Sequence, residues 1–154
     1  MKKVKIFIPF LIIIIGIGIV LIDTYNTTIE DLIYEQASID NTSPVHSKIA
    51  EINDDDIILY LYETEDKRLG YATVKINDSI FNKYSLCSVE NIDTSLITEK
   101  EIVHNYTEQG LNFVYGIIAN SSEKTFQYEN QEYELNNFEF NNITIGVFIH
   151  NENR

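Results

Sequence analysis

Ile57-Ile58-Leu59-Tyr60-Leu61-Tyr62, followed after a charged stretch by Gly70-Tyr71-Ala72-Thr73-Val74-Lys75-Ile76, decides the fold class of this chain. The first run is nearly all apolar and rich in β-branched and aromatic residues, the pattern of a central strand covered on both faces. In the second, Ala72, Val74 and Ile76 alternate with Tyr71, Thr73 and Lys75, so one face is buried and the other wet. Glu63-Thr64-Glu65-Asp66-Lys67-Arg68 between them is a charged loop, and the pair reads as a hairpin.

Working outward, Asn77-Asp78-Ser79 turns the chain into a third strand over about Ile80 to Val89, and residues 90–101 are polar and without period, a loop. Strand signals return at Ile102–Tyr106, strongly at Phe113–Ala119, then at Thr125–Tyr128, Tyr133–Leu135 and Ile143–Ile149. Upstream, Thr27-Thr28-Ile29-Glu30-Asp31 has a hydroxyl cap followed by acids in the first turn, and Ile29, Leu32, Ile33 and Gln36 repeat at helical spacing. That helix ends before Asn41-Thr42-Ser43-Pro44. It either covers a sheet or continues as a stalk. The expected fold is therefore a short helix followed by seven or eight antiparallel strands, in a meander, sandwich or partly open barrel.

The chain opens Met1-Lys2-Lys3-Val4-Lys5 and runs from Ile6 to Ile22 without a charge. Seventeen residues lie at the lower end of a membrane-spanning helix. No small-x-small cleavage site follows, and the one cysteine, Cys87, is far from a lipoprotein position. The expectation is a single-pass signal anchor over residues 6–23, a basic cytoplasmic tail over 1–5 and an extracytoplasmic domain over 24–154. Lys2, Lys3 and Lys5 set this orientation by the positive-inside rule. The lipid bilayer is then a partner through residues 6–23, and a cleaved, secreted form is the alternative.

Without segment 1–23, which holds three lysines and one aspartate, the rest carries 8 basic and 23 acidic side chains, net −15. Such a surface repels nucleic acid, so none is expected as a partner. One cysteine allows no intrachain disulfide.

The combination resembles small uncharacterised membrane-anchored or exported β-rich proteins of low-GC Gram-positive bacteria. The resemblance rests on the basic-plus-apolar leader, the short helix, the strand pair Ile57–Glu63 and Gly70–Ile76, and the later segment Tyr115-Gly116-Ile117-Ile118-Ala119-Asn120. It spans most of residues 28–150 and implies location and fold class. It implies no catalytic residue.

Asp54-Asp55-Asp56, with Glu51 near, lacks the alternating ligands and glycine of a calcium loop and reads as a solvated turn. His46, His104 and His150 share no local motif, whereas a zinc site ordinarily has a close ligand pair. Cys87, between Leu86 and Ser88 in a strand, reads as a small hydrophobe. No Gly-x-Ser-x-Gly, Ser-x-x-Lys or phosphate-cradling loop is present in the sequence. No catalytic, cofactor-binding or metal residue is therefore assigned. Tyr60, Tyr62, Tyr71 and Tyr84 form the candidate interaction surface, as an exposed aromatic strip on an acidic sheet. Tyrosines half-buried under the helix would carry the same pattern, and that reading is preferred because most aromatic strips are core or its rim.

The functional expectation is a non-enzymatic, membrane-tethered extracytoplasmic domain acting through contact with an unidentified membrane or envelope protein, as an accessory, sensor or immunity-type subunit. The alternative is a cell-envelope ligand-binding module or enzyme with a concave polar pocket.

Overall fold

The structure is a computed structural model, and it describes residues 12–20, 27–79, 83–92, 101–108 and 111–152. Two helices and ten strands are formed among the described residues. Helix α1 is described over 12–20, and α2 is Ile29–Asp40. Strands β1 (Val45–Asp54), β2 (Ile57–Thr64), β3 (Leu69–Ile76) and β4 (Tyr84–Ile92) make one antiparallel meander in the order β1-β2-β3-β4. Strands β5 (Glu101–Glu108), β6 (Leu111–Ala119), β9 (Asn136–Phe140) and β10 (Ile143–Asn151) make a second sheet, ordered β5-β6-β10-β9. Between β6 and β9 the chain forms a separate two-stranded hairpin, β7 (Thr125–Tyr128) and β8 (Gln131–Glu134).

These pieces stack in four layers. Ile57, Leu59 and Leu61 of β2 meet Phe113, Tyr115 and Ile117 of β6 and Val147 of β10, giving the core between the two sheets. The other face of β2, with Ile58, Tyr60 and Tyr62, is covered by Ile29 and Ile33 of α2. The other face of the second sheet, with Val114, Ile118 and Phe148, is covered by Tyr133 and Leu135 on and beside the β7–β8 hairpin. Double covering explains why β2 and β6 read as continuous apolar runs, although antiparallel sheets commonly keep one wet face. Helix α2 has 12 residues, marginal for an isolated helix, so its place depends on packing. Burial of Ile29 and Ile33 contributes about 1.5–3 kcal/mol each, and a charge at position 33 would unseat it. Thr28 caps the helix: its hydroxyl accepts from the Asp31 N–H, and the Asp31 carboxylate accepts from the Thr28 N–H.

Turns set the registers. Glu129-Asn130 joins β7 to β8 and Asn141-Asn142 joins β9 to β10, and all four residues have positive φ, between 48° and 67°. Paired positive-φ residues give the turn whose twist matches the flanking strands, and asparagine tolerates it. Two glycines mark close approach rather than flexibility. Gly70 lies opposite Tyr62, whose ring covers it, and Gly116 lies under the ring of Phe148 in the same way. In both sheets an aromatic ring on the outer face thus occupies the space of a missing side chain.

Two sequence expectations are corrected. The single-pass transmembrane signal anchor does not stand: among the described residues no helix is long and apolar enough to cross a membrane. Residues 1–11 and 21–26, including the rest of segment 6–23 and any cleavage point after it, lie outside the described residues. The cell-membrane localisation, with a cytoplasmic N-terminus and residues 24–154 outside, rested on that anchor and falls with it; the expected bilayer contact through residues 6–23 extends beyond the described residues.

The strand count is the second correction, ten rather than seven or eight. Strand β1 escapes the alternation rule because it is an edge strand, largely exposed, with register shifts at Val45/Ser47 and Lys48/Ala50. Strand β9 is short and alternates weakly, with Phe138 partly and Phe140 fully buried. Residues 90–92 and 101, read as loop, belong to β4 and β5, while the expected third strand begins at 80–82, outside the described residues.

Candidate functional site: an acidic groove beside the end of strand β10

The four candidate tyrosines do not form one surface. Tyr60 and Tyr62 lie fully buried beneath α2, where Tyr60 donates its hydroxyl hydrogen to Glu30 and Tyr62 donates to Asn91 Oδ1 at 3.1 Å. Burial pushes the Tyr62 phenol up to about 12, and burial with the Glu30 carboxylate raises Tyr60 further. Partial burial works to raise Glu30, but the bonds from Tyr60, from the backbone and from Thr28, with the charge of Lys48, together outweigh it and hold that carboxyl below its usual range. Tyr71 faces the opposite way, into the inter-sheet core, and donates to Glu90 Oε2 at 2.6 Å. Tyr84 is half-buried, with Lys83 Nζ 4.9 Å from its ring centre. Tyr60 and Tyr84 meet at one place, a groove of about 400 Å³ beside the start of α2 that Lys48 and Glu51 also line. Its cations are engaged with its own rings and acids: Lys48 lies over Tyr60 and pairs with Glu51 at 2.6 Å.

Cys87 packs at the margin of the inter-sheet core, and burial raises its thiol pKa, the reverse of an activated nucleophile. His46 is exposed on β1, and His104 stacks on Tyr115 with ring centres 5.3 Å apart. Among the described residues no group of three or more His, Cys, Asp or Glu is arranged to hold a metal ion.

The acidic turn has a structural use that the sequence reading did not assign. Asp55 takes positive φ, 54°, in the turn between β1 and β2. Its neighbours then reach across the sandwich to the end of β10. Asp54 Oδ2 accepts the Asn151 N–H at 2.8 Å, and Asp56 Oδ1 accepts from Asn151 Nδ2 at 3.1 Å. His150 Nδ1 stands 3.6 Å from the same Asp54 oxygen, an ion pair when the imidazole is protonated. Asn151 is buried, so this contact ties the first sheet to the last strand of the second.

Above this junction opens a groove of about 540 Å³, within the size range of ligand sites. Its apolar surface comes from Ile52, Phe148, Ile149 and Tyr133. Tyr133 stacks on Phe148 at 4.5 Å between ring centres and presents its ring edge-on to His150. Tyr133 also donates to Gln131 Oε1 at 2.6 Å, and burial with nearby Glu152 and Glu129 raises its pKa. Asp54, Glu132 and Glu134 supply carboxylates, and none of the described lining residues is a lysine or arginine. Glu132 and Glu134 are exposed, and no described cation lies within ion-pair distance of either. The groove therefore combines an apolar floor with uncompensated negative charge. It suits a cation on an extended apolar stem better than an anion or a neutral sugar.

The sequence reading did not single out Glu132, Tyr133 or Glu134. The signal available was local: Gln131-Glu132-Tyr133-Glu134-Leu135 alternates exposed polar residues with buried apolar ones. Nothing local could join Asp54 to His150, ninety-six positions later in the sequence. Compared with protein-family models, curated proteins and solved structures, the chain matches none.

Proposed function

We propose that the chain is a non-enzymatic contact module, and that the acidic groove beside the end of β10 receives a cation-bearing segment of another protein. The observation that carries this reading is the pair Glu132 and Glu134, exposed on the rim of an apolar-floored groove and lacking a described counter-ion. Rim charges of this kind steer encounter and select partners more than they add affinity. Apolar contact with Tyr133, Phe148 and Ile52 supplies the burial. An accessory, sensing or immunity-type role is the class of work such a module performs.

Photo-crosslinking tests the reading. A photoreactive residue replaces Gln131 at the groove, and a second variant carries it at Glu65, an exposed position in the β2–β3 loop. The expected result in the source cells is a discrete crosslinked product from position 131 alone. That product weakens in the double variant Glu132→Gln, Glu134→Gln and in high salt. Equal products from both positions, or none from 131, would sink the proposal.

A further inference from the structure

The second sheet leaves one position of its ladder open at this groove. Strand β9 pairs with β10 from Ile143–Phe140 to Val147–Asn136, and there β9 begins, so no β9 residue stands opposite Ile149. Two residues further on, Asn151 gives its N–H to Asp54, on the side away from β6, while its neighbour Glu152 gives its own to Asn112 on the β6 side. In an antiparallel ladder the backbone groups of alternate residues point the same way. The N–H and C=O of Ile149 therefore point as those of Asn151 do, away from β6 and into the groove. Ile149 is half-buried and lines that groove. On this line the order is a β9 residue, then the open position, then the Asp54 carboxylate, which takes the place a strand carbonyl would hold.

We infer that a partner docks by adding an extended segment to β10 along the line of β9, with one of its residues exchanging both backbone hydrogen bonds with Ile149. Sheet-edge addition of this kind takes its affinity from main-chain bonds and its selectivity from alternate side chains. Here the side chains on either side of the paired residue reach Glu132 and Glu134, so the occupant is a strand carrying lysine or arginine. Charge complementarity commits the surface to that partner. Asn136 at one end and Asp54 at the other limit the main-chain pairing to a single residue, and the docking is accordingly weak and readily reversed. This inference rests on the contact-module reading above and adds the geometry of docking to it.

The probe is an acetylated and amidated heptapeptide that alternates lysine and valine, titrated into the full chain while backbone amide resonances are followed by NMR. Three sister peptides carry an N-methyl group on one of the central valines in turn, which removes a single backbone donor. The expected result is a saturable shift of the Ile149 amide and about tenfold weaker binding for one of the methylated peptides. Gln at positions 132 and 134 weakens all of them alike. If every methylated peptide binds as tightly as the parent and the Ile149 amide does not move, strand addition is wrong, while loss of binding in the Gln variant still supports the cationic groove. If no peptide binds, both readings fall.

Discussion

Replacing Gly70 with alanine tests the packing of α2 on the first sheet. A Cβ at position 70 would stand 2.8 Å from Cδ2 of Tyr62 and closer still to Cε2 and Cζ, so the ring must move. It has little room, because Tyr62 is fully buried among Ile29, Ile33 and Ala72, with its hydroxyl held by Asn91. Overpacking of this kind costs about 1–3 kcal/mol. Loss of the Tyr62–Asn91 bond adds about 1 kcal/mol. The lower backbone entropy of alanine returns about 0.5–1 kcal/mol. The expected net loss is about 2 kcal/mol, read in urea as a midpoint lower by about 1 M for a chain of this size. Pairing Gly70→Ala with Tyr62→Leu, which removes the clashing ring edge, should give a smaller loss than the sum of the two single changes. A Gly70→Ala midpoint within error of the parent, or strict additivity in the double variant, would show that the ring does not depend on the bare glycine. Gly116→Ala against Phe148 is the same experiment in the other sheet.

Other expectations follow from named contacts. Asp54→Ala leaves the buried Asn151 N–H without its acceptor and should cost about 1–3 kcal/mol, with faster hydrogen exchange at the end of β10 and little change in β5. Thr28→Ala removes the cap of α2 and should cost about 1 kcal/mol, with faster exchange confined to that helix. Bonds from Arg68 and then Thr64 hold the Asp66 carboxyl down to about 2. A depressed carboxyl pKa stabilises above the ordinary value of about 4 and ceases to as pH falls through the folded value, so the β2–β3 loop should loosen between about pH 4 and 2. Carboxyl NMR titration reads this directly, and a midpoint near 4 would contradict the loop geometry. The Cys87 thiol, raised by burial, should alkylate several-fold more slowly at pH 8 in the folded chain than in urea.

The parts of the fold that sequence could deliver are those where a run is apolar throughout. Ile57–Tyr62 and Gly70–Ile76 do pair as neighbours, but the face of Gly70–Ile76 read as wet is covered too, with Tyr71 and Thr73 fully buried. Period said nothing about which faces were covered by what. Tyr71, opposite Leu61, packs between the sheets, while Tyr60 and Tyr62 lie under α2, a division set by strand register. The turns were hidden for a different reason. Glu129-Asn130 and Asn141-Asn142 lack glycine, so their positive φ values carry no strong local mark in a chain with asparagine throughout. An anchor rests on length and charge alone in the sequence, and among the described residues no helix is long and apolar enough to cross a membrane.

The groove shows why site chemistry was less legible than core. Its parts come from the last residues of β1, a hairpin inserted between β6 and β9, the first residue of β9 and the end of β10. Their meeting depends on Phe148, whose ring both fills the space above Gly116 and stacks on Tyr133, so one side chain seats the hairpin that carries Glu132 and Glu134. Asn151 joins the remaining wall by holding Asp54 and Asp56. An acidic triplet that reads as a solvated turn is therefore a clasp, and the charge beside it is left for a partner. The two roles separate by experiment. Asp54→Ala should loosen the end of β10 whatever the partner, whereas Glu132→Gln with Glu134→Gln should leave stability within about 0.5 kcal/mol of the parent, as exposed substitutions do, and act on docking alone.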